Sequence, residues 1–169
     1  MLKKNQGFTL IELILVIGII GVLVSATLIF IDPKAQLDKS RDGRRKSDLA
    51  QIVKAIEEFY QDNGSYPSST ANKIVDLQNN VIDWGKPWVP YMNIVPADPN
   101  SGKNYVYFSN GQSYYLYASL DRGTKDQQAC KGAQGFNSLT TLGIGSQACG
   151  PSEGATCDYV VTSPNVSGD

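Results

Sequence analysis

The sequence lacks the side chain that most often serves in acid–base catalysis, because none of its 169 residues is histidine. Ser-His-Asp and Cys-His catalysis, histidine-ligated zinc and acid–base chemistry by an imidazole are therefore excluded. No other pairing of a nucleophile with a base is apparent along the chain. An enzyme is consequently the least favoured class of protein, and we expect the chain to assemble or to bind rather than to catalyse.

The three cysteines, Cys130, Cys149 and Cys157, lie in a C-terminal tail rich in Gly, Ser, Thr and Gln. Their spacings of 19 and 8 residues are not those of a zinc site, and no histidine can complete a ligand set. A disulfide would stabilise an exported loop region of this kind. Any two of the three could pair and leave the third as a free thiol, so the sequence does not choose the pairing.

Glu12 is the single ionisable residue in an apolar run from Phe8 to Ile31. As a helix this run would be about 36 Å long, enough to cross the hydrocarbon core of a bilayer, which is about 30 Å thick. A carboxylate at the centre of a bilayer costs about 2.5–3.5 kcal/mol, and one nearer the edge costs less. Neither a simple secretory signal nor a simple membrane anchor needs a residue that makes insertion into the bilayer less favourable. Glu12 therefore indicates a specific role.

Three interpretations of the N-terminal segment compete. Lys3 and Lys4 before the apolar run, with the small residues Val24-Ser25-Ala26 inside it, are typical of a secretory signal cut after Ala26. In that alternative the product is an exported, aromatic-rich binding domain. The second interpretation is an ordinary membrane anchor, and the third is a helix specialised for assembly, which Glu12 favours.

The order of residues at the N-terminus resembles the cleavage and methylation signature of type IV pilins and of the related type II secretion pseudopilins: Lys3-Lys4-Asn5-Gln6-Gly7-Phe8-Thr9-Leu10-Ile11-Glu12. The resemblance implies that a prepilin peptidase cuts between Gly7 and Phe8 and that Phe8 is then N-methylated. It also implies that Glu12 meets the amine of Phe8 in a neighbouring subunit and sets the register of a fibre. Such a buried pair is weak evidence for stability but a credible register device.

The same resemblance implies the partners and the location of the protein. The subunit would be a single-pass protein of the inner membrane, surrounded by lipid, until a membrane assembly platform and its ATPase move it into a homo-oligomeric helical fibre. The head would lie outside the cytoplasm, in a periplasmic or extracellular fibre. Basic residues after the apolar run oppose this orientation, but long domains translocate largely regardless of charge, and the three cysteines suit an oxidising exterior.

The charge balance argues against nucleic acid as a partner. The formal net charge is −1, whereas nucleic-acid-binding domains are usually strongly basic. Aspartates are interspersed among basic residues in a mixed-charge band at residues 38–48, formed by Asp38, Lys39, Arg41, Asp42, Arg44, Arg45, Lys46 and Asp48. We predict a solvated, self-compensating face for this band, with salt-sensitive contacts between subunits as a second hypothesis.

Apolar residues recur at spacings of three and four from Leu49 to Tyr60 and predict an amphipathic helix. Asn63-Gly64 and Tyr66-Pro67 predict where it ends. The residues from Phe8 to about Asp62 would then form one helix of about 55 residues, about 80 Å long. Pro33 is the place where this helix could bend.

The remaining sequence predicts a small antiparallel sheet. Two strand-like segments within 104–119 flank Asn110-Gly111, a strong hairpin signal, and 158–162 would add a third strand. The hairpin is expected to cover the apolar stripe of the helix, and 71–78 is expected to form a short helix. The predicted class is α+β, with a leader peptide 1–7, a transmembrane or assembly helix 8–31, its amphipathic continuation 32–62 and a globular head 63–169.

Residues after the helix resemble major pseudopilins in particular. Phe59-Tyr60, the segment 62–67 and the proline-rich turn Val95–Pro99 carry this similarity, which slightly favours a secretion pseudopilus over a surface pilus. Major pseudopilins usually bind calcium in an acidic loop after the strands. Here that loop offers Asp121 and Asp126 together with basic neighbours, while calcium takes about six to eight oxygen ligands. No cofactor or metal is therefore expected, and calcium is disfavoured.

Overall fold

The computed structural model describes residues 7–30, 32–129, 141–142, 144, 148–150 and 156–166. The chain divides into two compact units, Met1–Leu37 and Asp38–Asp169, and we call the second the head unit. Two helices come first, α1 (Leu10–Phe30) and α2 (Pro33–Asn63). The strands of the described residues form two antiparallel three-stranded sheets: β1 (Ser68–Thr70), β2 (Lys73–Val75), β3 (Val81–Ile82), and β4 (Val106–Ser109), β5 (Tyr114–Ala118), β6 (Tyr159–Thr162). The fold class is α+β, as predicted.

The prediction of one helix of about 55 residues is wrong at Asp32, which lies outside helical structure. Asp32 caps α2, because its Oδ1 accepts a hydrogen bond from the backbone N–H of Ala35 at 3.1 Å. Its carbonyl oxygen accepts the next helical bond, from the N–H of Gln36 at 3.2 Å. Pro33 takes the first helical position, where the missing N–H removes no helical hydrogen bond. Asp32-Pro33 is therefore the start signal of a new helix.

The amphipathic part of α2 forms the centre of the core of the head unit. Leu49, Ile52 and Ile56 are completely buried, and Phe59 is nearly so. They pack in one cluster with inward-facing tyrosines and Leu116 of the sheet β4–β5–β6. Each buried side chain of this size contributes roughly 1.5–3 kcal/mol. The predicted packing of the hairpin over the apolar stripe is confirmed.

The predicted hairpin is formed by β4 and β5, which pair from Val106↔Tyr117 to Ser109↔Tyr114. Asn110 Oδ1 accepts hydrogen bonds from the backbone N–H groups of Gln112 and Ser113 at 3.0 and 2.8 Å. Gly111 has φ +83°, a conformation that glycine adopts without steric cost. β6 pairs with the other edge of β5, so the third strand is confirmed as well.

Side chains alternate across this sheet, and both faces are covered. Leu116 faces α2, while Val106 and Tyr117 face a second cluster that contains Cys149 and Cys157. These two cysteines form a disulfide, and Cys130 lies outside the described residues. The aperiodic tail thus supplies a second layer, which hydrophobic periodicity could not have indicated.

The prediction of a short helix at 71–78 is wrong, because this segment belongs to the sheet β1–β2–β3. Ala71 and Asn72 have positive φ and form the two-residue turn between β1 and β2. The β-branched pair Ile74 and Val75 is buried in β2, a setting that suits β-branched side chains. Asp76 then accepts backbone hydrogen bonds that close a turn.

Candidate functional site

The N-terminus of α1 is closed by a reciprocal pair of side chains. The helix begins at Leu10, so Thr9 is its N-cap residue and Glu12 is its third helical residue. Glu12 Oε2 accepts hydrogen bonds from the backbone N–H and from the hydroxyl of Thr9, both at 3.1 Å. Thr9 Oγ1 in turn accepts the backbone N–H of Glu12 at 3.3 Å. This arrangement is a capping box, and it gives the carboxylate of Glu12 a partner within its own chain.

Gly7 and Phe8 precede this cap, in a stretch without regular secondary structure. Phe8 is 85% exposed, and Gly7 is exposed as well. An ideal Cβ on Gly7 would meet no atom within 4 Å. The peptide bond between the two residues therefore lies in an open segment that an external protease could bind in extended form.

The outer surface of α1 is apolar and is not covered by the chain. The segment Leu10–Thr27 has a mean hydropathy of 2.6, and none of it is buried. By length and composition it is the one helix of the described residues that could cross a membrane. A helix that is apolar on all sides must be covered, either by lipid or by other helices.

Polar and small residues of α1 fit such surroundings. The hydroxyls of Ser25 and Thr27 donate to the helix's own carbonyl oxygens, at Gly21 (2.8 Å) and Val24 (2.9 Å), so they need no outside partner. A Cβ on Gly18 or Gly21 would meet nothing within 4 Å, so packing within the chain does not require glycine there. Small residues of this kind let a second helix approach closely.

Arg45, inside the mixed-charge band, has a completely buried side chain. Its Nε and Nη2 donate to the two carboxylate oxygens of Asp98 at 2.8 and 3.0 Å. Its Nη1 lies 2.8 Å from Asp42 Oδ1 and 3.0 Å from Asp121 Oδ2. Burial alone would lower the pKa of Arg45, but its hydrogen bonds to Asp98 and Asp121 outweigh burial and raise it. Arg45 therefore stays charged and joins α2 to two loops of the head unit.

The prediction that the whole mixed-charge band is a solvated face is wrong. Asp42, Arg45 and Asp48 are buried, while Lys39 and Arg44 are exposed. The helix turns the two groups to different sides, and the buried charges meet partners that are distant in sequence. Only the exposed part of the band is free to contact another subunit.

Asp121 and Asp126, the acids of the loop where the resemblance implies calcium, are paired with basic side chains. Asp121 lies 2.7 Å from Arg41 and 2.8 Å from Lys103, and Asp126 lies 2.6 Å from Lys46. Burial would raise the pKa of Asp121, but hydrogen bonds from Lys103 and Arg41 hold it well below its usual range. No group of three or more acidic or cysteine side chains in the described part of the chain could hold a metal ion. This donor set does not fit calcium.

Sequence reasoning missed three of these residues. Thr9 could have been found, because the spacing Thr9-x-x-Glu12 before an apolar run is the signature of a capping box. No local pattern marks Asp98 or Lys103, since Asp98 pairs with a residue 53 positions away and Lys103 contacts residues 16 to 18 positions away.

Comparisons with known proteins cover almost the whole chain. Residues 34–137 match the family model described as type II secretion system (T2SS), protein G, and residues 2–28 match the prokaryotic N-terminal methylation motif. The chain is 28% identical to the type II secretion system core protein G of Pseudomonas aeruginosa, over 75% of this chain and 93% of that protein. It is 27% identical to the protein of the same name from Vibrio cholerae, over 91% and 90%.

Two further relatives are similar to shorter parts of this chain. The core protein G of Pectobacterium carotovorum is 35% identical over 64% of this chain and 70% of its own length. The toxin coregulated pilin of Vibrio cholerae is 33% identical over 48% of this chain and 36% of its own length. No solved structure matches the chain with comparable significance.

Proposed function

The chain belongs to the type II secretion system protein G family, and we propose on this basis that it is processed at its N-terminus and assembled through α1. Its function is that of a structural subunit of the pseudopilus, and the family match over residues 34–137 is the observation that carries this conclusion. The match of residues 2–28 to the methylation motif favours it over an exported domain cut after Ala26. The family resemblance drawn from the sequence is confirmed.

Processing is proposed at the peptide bond between Gly7 and Phe8. Both residues are exposed and precede the helix, which supports access by a prepilin peptidase. The cut leaves Phe8 with a free amine, which is protonated near neutral pH. Methylation of an amine retains its charge, so N-methylated Phe8 still presents a cation at the start of α1.

Before assembly the subunit is anchored in a membrane by α1. The helix has 21 residues and is therefore about 30 Å long, close to the thickness of the hydrocarbon core. We propose a single span of the inner membrane with the head unit outside the cytoplasm, followed by transfer into a periplasmic or extracellular fibre. Lipid covers the apolar surface of α1 in the first state, and other copies of the helix cover it in the second.

Glu12 is proposed to guide this transfer. In the separate subunit its carboxylate accepts two hydrogen bonds from Thr9. In the fibre, the amine of Phe8 from a neighbouring copy would lie beside the same carboxylate, because both charges need a partner in apolar surroundings. The pairing fixes how far one subunit is displaced along the next.

The proposed partners follow from these steps. They are the prepilin peptidase, a membrane assembly platform with its ATPase, membrane lipid, and other copies of the chain. We propose no nucleic acid as a partner, since the formal net charge is −1 and strongly basic chains are typical of nucleic-acid binders. Two basic residues of the band, Arg41 and Lys46, are moreover paired with Asp121 and Asp126.

Intact mass of the chain, purified from cells that contain a prepilin peptidase, tests the processing step. We expect a product that begins at methylated Phe8. Gly7→Val should block the cut, because its side chain fills space that an extended substrate needs, while Gln6→Ala should be processed normally. A product that begins at Thr27 would instead support the exported binding domain.

Glu12→Gln tests the assembly step. Glutamine also serves in capping boxes, so the variant keeps the contacts with Thr9 and loses only the charge. We expect a loss of more than about tenfold in sheared fibre, because the amine of the neighbour is left without a buried partner. Thr9→Ala, which removes the cap and keeps the charge, is the matched control and should reduce fibre yield less. Normal fibres from Glu12→Gln would contradict the proposed pairing.

A further inference from the structure

Lys103 lies in the loop before β4, and its side chain is only 8% exposed. Its Nζ donates to the carbonyl oxygens of Ser119 and Leu120, both at 3.2 Å, and to Asp121 Oδ1 at 2.8 Å. The three hydrogen atoms of the ammonium group thus match three oxygens of one short segment that follows β5. We call these three oxygens the oxygen cage.

Carbonyl and carboxylate oxygens are the ligands that hard cations such as calcium bind in proteins. In this protein the cation bound by the oxygen cage is the ammonium group of Lys103, which is part of the chain itself. An ammonium group is satisfied by three acceptors, whereas calcium needs about six to eight oxygens. A lysine can therefore hold this segment with far fewer ligands than a divalent ion would require.

The backbone N–H groups of the same segment are held by carboxylates. Asp42 accepts the N–H of Asp121 at 2.7 Å and that of Arg122 at 2.9 Å. Asp158, just before β6, accepts the N–H of Leu120 at 2.7 Å. Charged side chains from α2, from the loop before β4 and from the residue before β6 therefore bind the N–H groups of residues 120–122 and the carbonyl oxygens of Ser119 and Leu120.

A divalent ion would meet strong repulsion at this place. Asp121 Oδ2 accepts a hydrogen bond from Arg41 at 2.7 Å and lies 3.0 Å from Arg45 Nη1. An ion entering the cage would have to displace the Lys103 ammonium and lie beside two guanidinium groups. Like charges at such distances repel strongly in a partly buried site.

We propose that Lys103 is a built-in cation, which does the structural work of a bound divalent ion and makes folding of the head unit independent of calcium. The acids that could have formed a calcium site are instead paired with basic side chains of the same chain. A head of this kind keeps its fold when the calcium concentration around the fibre changes. The inference does not depend on how the fibre is assembled.

Thermal unfolding of the full chain in detergent micelles tests the proposal, with either EDTA or about 1 mM calcium chloride, where weak extracellular calcium modules bind. The midpoint of the wild-type chain should agree within about 1 °C in the two solutions, because an ion that does not bind cannot stabilise. Lys103→Met keeps most of the unbranched side chain but loses the ammonium group and its charge, and it should lower the midpoint by about 10 °C. Lys54→Met, at an exposed position of α2, is the matched control and should leave the midpoint unchanged.

A wild-type midpoint that rises with calcium in a saturable manner overturns the proposal, and so does an unchanged midpoint for Lys103→Met. If Lys103→Met does not fold, the proposal is tested on the wild-type chain by measuring hydrogen exchange of the amides at residues 120–122 in calcium and in EDTA. Equal protection in calcium and in EDTA supports a built-in cation, and faster exchange in EDTA overturns it. Fibre assembly is not measured, so this result is separate from the test of the proposed function.

Discussion

α1 and the second half of α2 are both rich in apolar residues, but those of α1 are exposed and most of those of α2 are buried. Ile14 and Ile17 of α1 are 56% and 59% exposed, whereas Leu49 and Ile52 of α2 are 0% exposed. The contacts that stabilise the folded head unit therefore lie within one chain. The surroundings of α1 must come from lipid or from other subunits. Substitutions should accordingly affect folding in one helix and assembly in the other.

Charge is handled differently in the two regions as well. Glu12 of α1 contacts Thr9, which is three residues away. Arg45 of α2 contacts Asp98, which is 53 residues away, and two further acids. The first charge can change partners without unfolding anything, and the second cannot. This difference suits an assembly element and a folded head, respectively.

Arg45→Met should have the largest effect on the head unit. The substitution leaves the buried carboxylate of Asp98 without the guanidinium it pairs with, and it removes one partner each from Asp42 and Asp121. We therefore expect the free energy of unfolding to fall by about 4 kcal/mol. Denaturant unfolding of the full chain in detergent measures this change.

Arg44→Met is the matched control for Arg45→Met. The Arg44 side chain is 66% exposed and lies 3.8 Å from Asp48, so its loss should change the free energy of unfolding by less than about 0.5 kcal/mol. Similar losses in the two variants would remove the distinction between the buried and exposed parts of the mixed-charge band.

The same substitution placed in both helices tests the comparison directly. Ile56→Ala removes a completely buried side chain, and we expect a loss of about 3 kcal/mol in the free energy of unfolding. Ile17→Ala removes an exposed side chain of α1 and should leave unfolding of the head unit unchanged. Circular dichroism during denaturant unfolding follows both variants. A comparable loss from Ile17→Ala would mean that α1 stabilises the head.

Apart from the control variants, the smallest effect is expected from titration of Asp158. Burial raises the pKa of Asp158 to about 6, against the hydrogen bond from Leu120 and the charge of Lys103, and Asp42 raises it further. The usual value is about 3.9, so between about pH 4 and pH 6 the folded state holds more protons than the unfolded state. The contribution of Asp158 to stability therefore falls as the pH rises through this window.

Asp158→Asn keeps an oxygen for the Leu120 N–H and cannot ionise. Above about pH 7 we expect it to be more stable than the wild-type chain by about 1 kcal/mol, after allowance for solvent screening of a partly exposed group. Below about pH 3 the two chains should be equally stable, because Asp158 is then protonated in both the folded and the unfolded state. Subtracting the free energies of unfolding of the two chains at each pH removes the contributions of other titrating groups, such as Asp121, which are the same in both chains. A difference that grows toward acid pH would contradict this assignment.

Sequence reasoning reached furthest where a signal is local. The adjacent residues Asn110-Gly111 predicted the hairpin, and apolar residues at spacings of three and four predicted the buried face of α2. It was wrong at 71–78, where three apolar residues fit a helix or a strand and pairing with β1 decided for the strand. It was also wrong about the mixed-charge band, because the order of charged residues on a helix does not show which of them meet a partner from a distant part of the chain.

The order of residues by itself determined an apolar helix with one acid near its start, a capped beginning and a family signature, because each depends on neighbours within a few positions. Only the tertiary structure decided that Arg45 is buried, that Lys103 fills the oxygen cage, and that Cys149 joins Cys157. These features depend on groups brought together from distant parts of the chain. A buried charge is stable only when such partners surround it, and no local pattern can report that they do.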